Sequence, residues 1–255
     1  MKFAAVLLLA TGIWLVPALG QDAPTFGTTV VIPAGLHGTV YLIPNGTTVL
    51  PDFQDERLQR VGELWTNSLN IPPRHWSTGF PGLTDRSEWF AIDYDGRFWI
   101  DKPGRYAFAL LSDDGSRLFI DDVPVIDNDC QHSPDLRIAA AKLEGGTHRL
   151  RVSYFQGPRD CLALILAVAG PNEEWKVFNI QEFGPPTNPE DWQYREDRRD
   201  SATSLVPMKP EEARLSKDEL FKRLSAANSL DRFSIVPKKK DRSCAEVSAV
   251  RTCGP

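Results

Sequence analysis

Tyr106-Ala107-Phe108-Ala109-Leu110-Leu111-Ser112-Asp113-Asp114-Gly115-Ser116-Arg117-Leu118-Phe119-Ile120 is the stretch on which the fold turns. Its first five residues place large apolar side chains at every second position, the period of a strand with one face in a core. Asp113-Asp114-Gly115-Ser116 then interrupts the run with residues suited to a turn. The same alternation recurs in Arg149-Leu150-Arg151-Val152-Ser153-Tyr154 and in Leu162-Ala163-Leu164-Ile165-Leu166-Ala167-Val168. Lys102-Pro103-Gly104, Glu144-Gly145-Gly146 and Gln156-Gly157-Pro158 supply the intervening turns. Short strands and turns alternating about every ten residues describe an antiparallel β-sandwich of half-buried strands. Strands near Val30–Ile32, Val40–Ile43, Glu88–Ile92 and Phe98–Ile100 extend the pattern toward the N-terminus. One short helix is expected around Asp55–Leu69, where Leu58, Val61, Leu64 and Trp65 recur at helical spacing, closing one edge of the sheets. The fold class is therefore all-β, an antiparallel sandwich with short peripheral helices.

Working outward, the chain has 255 residues, 42% hydrophobic and 25% charged, enough for one sizeable core. Its formal net charge of −5 provides no overall field to gather phosphates, which argues against a nucleic-acid partner. Residues 1–20 read as a signal peptide: Lys2 as the charged head, an apolar run from Phe3 to Pro17, and Ala18-Leu19-Gly20 before a cut at Gln21. An uncleaved anchor is the rival, but the apolar run is short for a bilayer span and has no second copy. The mature protein is expected to be secreted, periplasmic or on the cell surface, with no membrane span after cleavage.

Composition shifts near residue 184. Residues 21–183 carry 14 Lys/Arg against 22 Asp/Glu, whereas residues 184–255 carry 14 against 12. Gly184-Pro185-Pro186-Thr187-Asn188-Pro189 marks the boundary with linker chemistry. The organisation is thus a sandwich domain over 21–183, then a Pro- and charge-rich linker and C-terminal tail over 184–255. Within the tail, Leu215, Leu220, Phe221 and Leu224 are spaced for one amphipathic helix between Pro210 and Leu230. One helix makes no core by itself, so a mostly irregular, solvated tail is expected, with a packed second domain as the rival. Four cysteines in an oxidising compartment suggest two disulfides and allow three pairings. The pairing Cys130–Cys161 with Cys244–Cys253 is expected, the first closing a loop worth about 3 to 4 kcal/mol by the chain-entropy estimate.

The chain has no Gly-x-Ser-x-Gly elbow, His-Glu-x-x-His pair, phosphate-cradling loop or dinucleotide fingerprint, so a non-catalytic role is expected. His37, His75, His132 and His148 lie in separate segments without metal-ligand spacing and receive no role. Asp113 and Asp114 are the conspicuous pair. Adjacent carboxylates in an extended strand point to opposite faces, so they serve one site only where the backbone turns sharply, and a hard cation such as Ca²⁺ would then relieve their repulsion. The plainer reading is a hairpin turn built from its usual residues. Asp127-Asn128-Asp129 lacks the glycine and terminal glutamate of an EF-hand loop.

Taken in order, Gly104-Arg105-Tyr106-Ala107-Phe108, Ser112-Asp113-Asp114-Gly115-Ser116-Arg117-Leu118, Ile120-Asp121, Gly146-Thr147-His148-Arg149-Leu150 and Val152-Ser153-Tyr154-Phe155 resemble successive strands of the protective-antigen N-terminal module family, the "PA-fourteen" domain. Gly35-Leu36-His37-Gly38, Leu50-Pro51-Asp52-Phe53 and Trp89-Phe90-Ala91-Ile92 resemble its opening segments, so the likeness covers about residues 34–170. The resemblance implies a β-sandwich of the kind that serves as a carbohydrate-binding module in secreted glycosidases, adhesins and toxins. Its sugar-binding members hold Ca²⁺ on the Asp-Asp pair, joined by a cis peptide, and the ion coordinates vicinal sugar hydroxyls. By resemblance Asp113 and Asp114 take that role. The family's calcium-binding adhesins place an asparagine where this chain has Gln156, and Asp160 in the same loop offers a substitute, giving a ligand set of Asp113, Asp114 and either Gln156 or Asp160. Of the aromatic rings, Trp76 in Pro73-Arg74-His75-Trp76 is the candidate for stacking on a sugar, while Trp89 and Trp99 have the spacing of core residues. The expected function is a secreted, non-catalytic module that binds a glycan or polysaccharide through calcium. The alternative is a structural or protein-interaction domain of the cell surface, with its tail helix docking a partner protein.

Overall fold

The computed structural model describes residues 35–83, 86–185, 203–209, 215–226 and Cys244. Two antiparallel sheets face each other. The first runs in the order β2 (Gln59–Thr66), β1 (Leu36–Leu42), β4 (Phe90–Ile100), β9 (Gly146–Gln156), β6 (Ser116–Ile120) and β7 (Val123–Asn128). The second runs β11 (Lys176–Val177), β10 (Cys161–Ala169), β5 (Gly104–Asp113), β8 (Asp135–Leu143) and β12 (Thr203–Val206), with β3 (Asn70–His75) also paired to β10. The alternating residues read from the sequence supply the space between them: Ile92, Tyr94, Phe98, Val152 and Tyr154 from one sheet meet Phe108, Leu110, Leu162, Leu164 and Leu166 from the other. The expected sandwich is present, and the strand segments near Glu88–Ile92 and Phe98–Ile100 are parts of the single strand β4. The segment near Val30–Ile32 lies outside the described residues, as do residues 1–20.

Three expectations are corrected. The helix around Asp55–Leu69 is instead β2, hydrogen-bonded to β1 from Thr66 opposite Leu36 to Gln59 opposite Leu42. Four apolar residues at helical spacing compete there with a strand pattern that buries Leu64 and Thr66 and leaves Val61 47% exposed. Pairing with β1, interrupted by one register shift at Val61, takes up the backbone hydrogen bonds along this segment, which local periodicity cannot foresee.

The half-buried reading of β5 and β10 also changes. Their second faces, with Ala109, Leu111, Ile165 and Ala167, are covered by α1 (Lys217–Ala226) through Leu220 and Leu224, with Trp175, Leu215 and Phe221 alongside. The tail helix thus finds a third layer to pack on, and β12 extends the second sheet by pairing with β8. The expected solvated tail does not hold for residues 203–206 and 217–226. Lys217 Nζ sits 2.9 Å from Asp135 Oδ1, and Thr203 Oγ1 donates to Asp121 Oδ2 at 2.7 Å. Asp121 in turn lies 2.6 Å from His148 Nδ1 and accepts the Arg149 N–H at 2.9 Å, so His148 belongs to a buried latch under β12.

The third correction is the disulfide pairing. Cys161 bonds Cys244, with Cα atoms 5.8 Å apart, which excludes both Cys130–Cys161 and Cys244–Cys253. Because the tail returns across β10, whose first residue is Cys161, the cross-link spans 83 residues instead of closing a local loop. Cys130 is also disulfide-bonded, its partner lying outside the described residues. No helix among the described residues is long and apolar enough to cross a membrane.

Candidate functional site

β5 ends at Asp113 in the second sheet, and β6 begins at Ser116 in the first. Asp113-Asp114-Gly115-Ser116 is therefore a crossover between sheets, and the hairpin-turn reading is excluded; the hairpin that does form is the next one, β6 to β7, where Asp121 (φ 50°) and Asp122 (φ 63°) make the two-residue turn. The links from β7 to β8 (129–134) and from β9 to β10 (157–160) change sheets at the same pole as Asp113. Three crossovers converge on one point, and that convergence makes the site.

The Asp113–Asp114 peptide is cis. Both residues are buried, at 5% and 4% exposure. Asp114 is clasped by the two neighbouring crossovers: Oδ1 accepts the His132 N–H at 3.0 Å and Oδ2 accepts the Gly157 N–H at 2.7 Å. A Cβ on Gly157 would stand 2.9 Å from Asp114 Oδ2, so only glycine allows this approach. Gly115 is equally constrained, since a Cβ there would meet the Phe155 ring at 2.4 Å and Asp129 Oδ1 at 2.9 Å. The Tyr154 hydroxyl, wholly buried, donates to the Asp113 carbonyl at 2.7 Å.

Burial, the charge of Asp114 and the charge of Asp160 push the Asp113 carboxyl well above the ordinary carboxylate range, against a hydrogen bond from Gln156. Burial pushes Asp114 up to about 7, in spite of the backbone N–H groups of Gly157 and His132, and Asp160 adds to the rise. Among the described residues no basic side chain pairs with Asp113, Asp114 or Asp160. The candidate donors are acidic side-chain oxygens that no described basic residue neutralises, which fits a hard cation such as Ca²⁺. No set of three His, Cys, Asp or Glu side chains among the described residues is close enough to enclose a metal by itself, so further donors would come from backbone carbonyls or water.

The other expected site residues separate. Asp160 is near enough for its charge to act on both aspartates, and its carbonyl accepts the Trp76 N–H at 3.0 Å. Gln156 is fully buried: Nε2 donates to the Cys161 carbonyl at 3.0 Å, and Oε1 lies 2.6 Å from the Tyr154 hydroxyl, whose one proton it shares with the Asp113 carbonyl. Its oxygen is thus engaged inside the protein, and Gln156 buttresses the site. Trp76 sits half-buried on a one-turn 3₁₀ segment, Trp76–Thr78, with the Arg159 guanidinium 5.0 Å from its ring centre and Arg159 held by Glu88 at 2.8 Å. Trp89 packs in a small cluster with Ile43, Ala91 and Phe155, away from the central core. Of the acidic cluster after β6, Asp127 and Asp129 both pair with Arg117 at 3.2 Å, and Asn128 is completely buried. Sequence reading missed His132 and Gly157 because both act through backbone N–H groups, which every non-proline residue carries.

Similarity to known proteins is consistent with this architecture. Residues 55–176 match the PA14 domain family. No curated protein matches. Among solved structures, an anti-sigma factor domain-containing protein is 20% identical, with 61% of this chain and 50% of that chain covered and a TM-score of 0.45. The PA14 domain of the MpAFP antifreeze protein is 18% identical (58% and 88% covered, TM-score 0.47), and a PA14 sugar-binding domain from an RTX adhesin is 16% identical (58% and 96% covered, TM-score 0.46). The chain thus spans half the length of the first of these. Residues 55–176, built around the Asp113–Asp114 crossover, are a PA14 domain.

Proposed function

We propose that this protein is a secreted, non-catalytic carbohydrate-binding module that recognises a glycan through a Ca²⁺ held at the Asp113–Asp114 crossover. The observation that carries the reading is a pair of adjacent, buried carboxylates with no basic side chain paired to them among the described residues, placed where three crossovers meet. Asp113 and Asp114 are the anionic ligands, the charge of Asp160 acts on both, and backbone carbonyls or water supply the remaining donors. Bound there, Ca²⁺ supplies a coordination point for vicinal sugar hydroxyls. Trp76, beside Asp160, offers an aromatic face at the rim. The Cys161–Cys244 bond suits an oxidising compartment, which supports secretion.

One observation favours a second reading. Both oxygens of Asp114 accept backbone N–H groups, so this side chain also clasps the 129–134 and 157–160 crossovers together. In that reading the pole is structural, and the domain binds a protein or nothing. A glycan array probed with the full chain in Ca²⁺ and again in EDTA, with Asp113→Asn as the comparison, separates the two. The calcium reading expects binding that EDTA and the substitution both abolish. Binding unchanged by EDTA, or no binding from folded protein, refutes it for the sugars sampled.

A further inference from the structure

The geometry points to Asn128 and His132 as positioning residues for the Asp113–Asp114 pair, holding the two carboxylates in place without themselves meeting a ligand. The inference deepens the proposed calcium site and rests on it for the identity of the ion. Asn128 is the last residue of β7 and has no exposed surface. Its Nδ2 donates to Ser112 Oγ at 3.0 Å and to the Asp135 carbonyl at 3.1 Å. Ser112 immediately precedes Asp113 and its Oγ accepts from Ser116 Oγ at 2.7 Å, so both ends of the crossover are tied to this amide. Arg137 Nε donates to Asn128 Oδ1 at 3.3 Å. A single side chain thus joins the ends of β5 and β8 in one sheet to the end of β7 in the other.

The second half of the device starts at the same residue. The Asn128 carbonyl lies 3.0 Å from His132 Nε2, and the Ser133 carbonyl lies 2.8 Å from His132 Nδ1. His132 is 3% exposed, and among the described residues its ring bonds the Asn128 and Ser133 carbonyls. Between the two residues Cys130 has φ 117°, a conformation that L-residues rarely adopt, so loop propensity alone does not set this shape. Fixed by its ring, the loop presents the His132 N–H to Asp114 Oδ1 at 3.0 Å. Groups that orient a ligand carboxylate by hydrogen bonding typically change metal affinity by about 10- to 100-fold when removed.

The test uses the full chain and three variants. His132→Ala deletes the ring and keeps the backbone N–H; His132→Gln restores an amide able to reach a loop carbonyl; Asn128→Asp keeps the side-chain shape and removes the Nδ2 donors. Ca²⁺ affinity is read by calorimetry, and backbone hydrogen exchange of residues 112–116 and 155–158 is followed in EDTA. The expected result is a loss of about tenfold or more in Ca²⁺ affinity for His132→Ala and Asn128→Asp. His132→Gln is expected to recover part of that loss, and exchange at 112–116 to quicken in both damaging variants. Affinity unchanged from wild type, or unchanged exchange at 112–116, overturns the inference. Should the wild type itself take up no Ca²⁺, the proposed calcium function falls, and the exchange measurement alone decides the positioning role: faster exchange sustains it and unchanged exchange overturns it. Asn128→Asp carries the same decision where His132→Ala fails to fold.

Discussion

Without a bound cation, the folded protein should lose stability as pH rises from about 4 to about 7, and Asp114→Asn should make that loss smaller. Asp114 titrates at about 7 in the folded chain, chiefly through burial, against 3.8 for an ordinary aspartate. Between these values the unfolded chain has released the proton and the folded chain still holds it. The folded state therefore binds more protons, and stability falls with rising pH by about 1.4 kcal/mol per unit for one group. Across the whole window the loss is about 4 kcal/mol, a large share of a typical domain's stability. Asp121 does not blur the window: burial raises its carboxyl, but the hydrogen bond and charge of His148, with the Thr203 hydroxyl and the Arg149 N–H, together leave it below the usual value, so its contribution is lost at lower pH. The raised carboxyls of Asp113 and of buried Asp93 act in the same direction as Asp114 and stay in the variant, so the difference between the two proteins reads Asp114 together with its repulsion of Asp113. The assay is urea unfolding in EDTA at half-unit steps from pH 4 to pH 8, for wild type and Asp114→Asn. Adding Ca²⁺ above pH 7 should restore stability to wild type and leave the variant unchanged, because the ion favours the ionised folded form. Parallel profiles for the two proteins across the window would refute the reasoning.

Other perturbations probe the remaining parts of the fold. Gly157→Ala places a Cβ 2.9 Å from Asp114 Oδ2 and should cost about 1 to 3 kcal/mol in urea unfolding while weakening Ca²⁺ binding in calorimetry; unchanged values for both would mean the clasp yields freely. The double variant Cys161→Ser with Cys244→Ser opens a link across 83 residues and should lower stability by up to about 4.5 kcal/mol in denaturant titration, with protease sensitivity appearing first in the tail. Leu220→Ala empties a fully buried place under α1 and should cost about 2 to 5 kcal/mol; a change below about 0.5 kcal/mol would show that the helix is not part of the folding unit.

The strands were legible for a local reason. Alternation in Tyr106–Leu110, Arg149–Tyr154 and Leu162–Val168 is a property of the residues themselves, and it placed β5, β9 and β10 correctly. The same local logic misread Leu58, Val61, Leu64 and Trp65, because whether that segment becomes helix or strand depends on the free edge of β1. Asp113 and Asp114 stood out by residue type. Gln156 was also visible by type, yet its buried side chain bonds Tyr154 and Cys161, which only packing reveals.

What the sequence by itself determined is the all-β character, the segmentation into short strands and the identity of the carboxylate pair, because strand periodicity and side-chain chemistry reside in neighbouring residues. What only the tertiary structure decided is that Asp113-Asp114-Gly115-Ser116 crosses between sheets, that the tail covers the second sheet and bonds Cys161, and that His132 and Gly157 hold Asp114. These depend on contacts between segments far apart in the chain, and on backbone N–H groups that no residue type distinguishes.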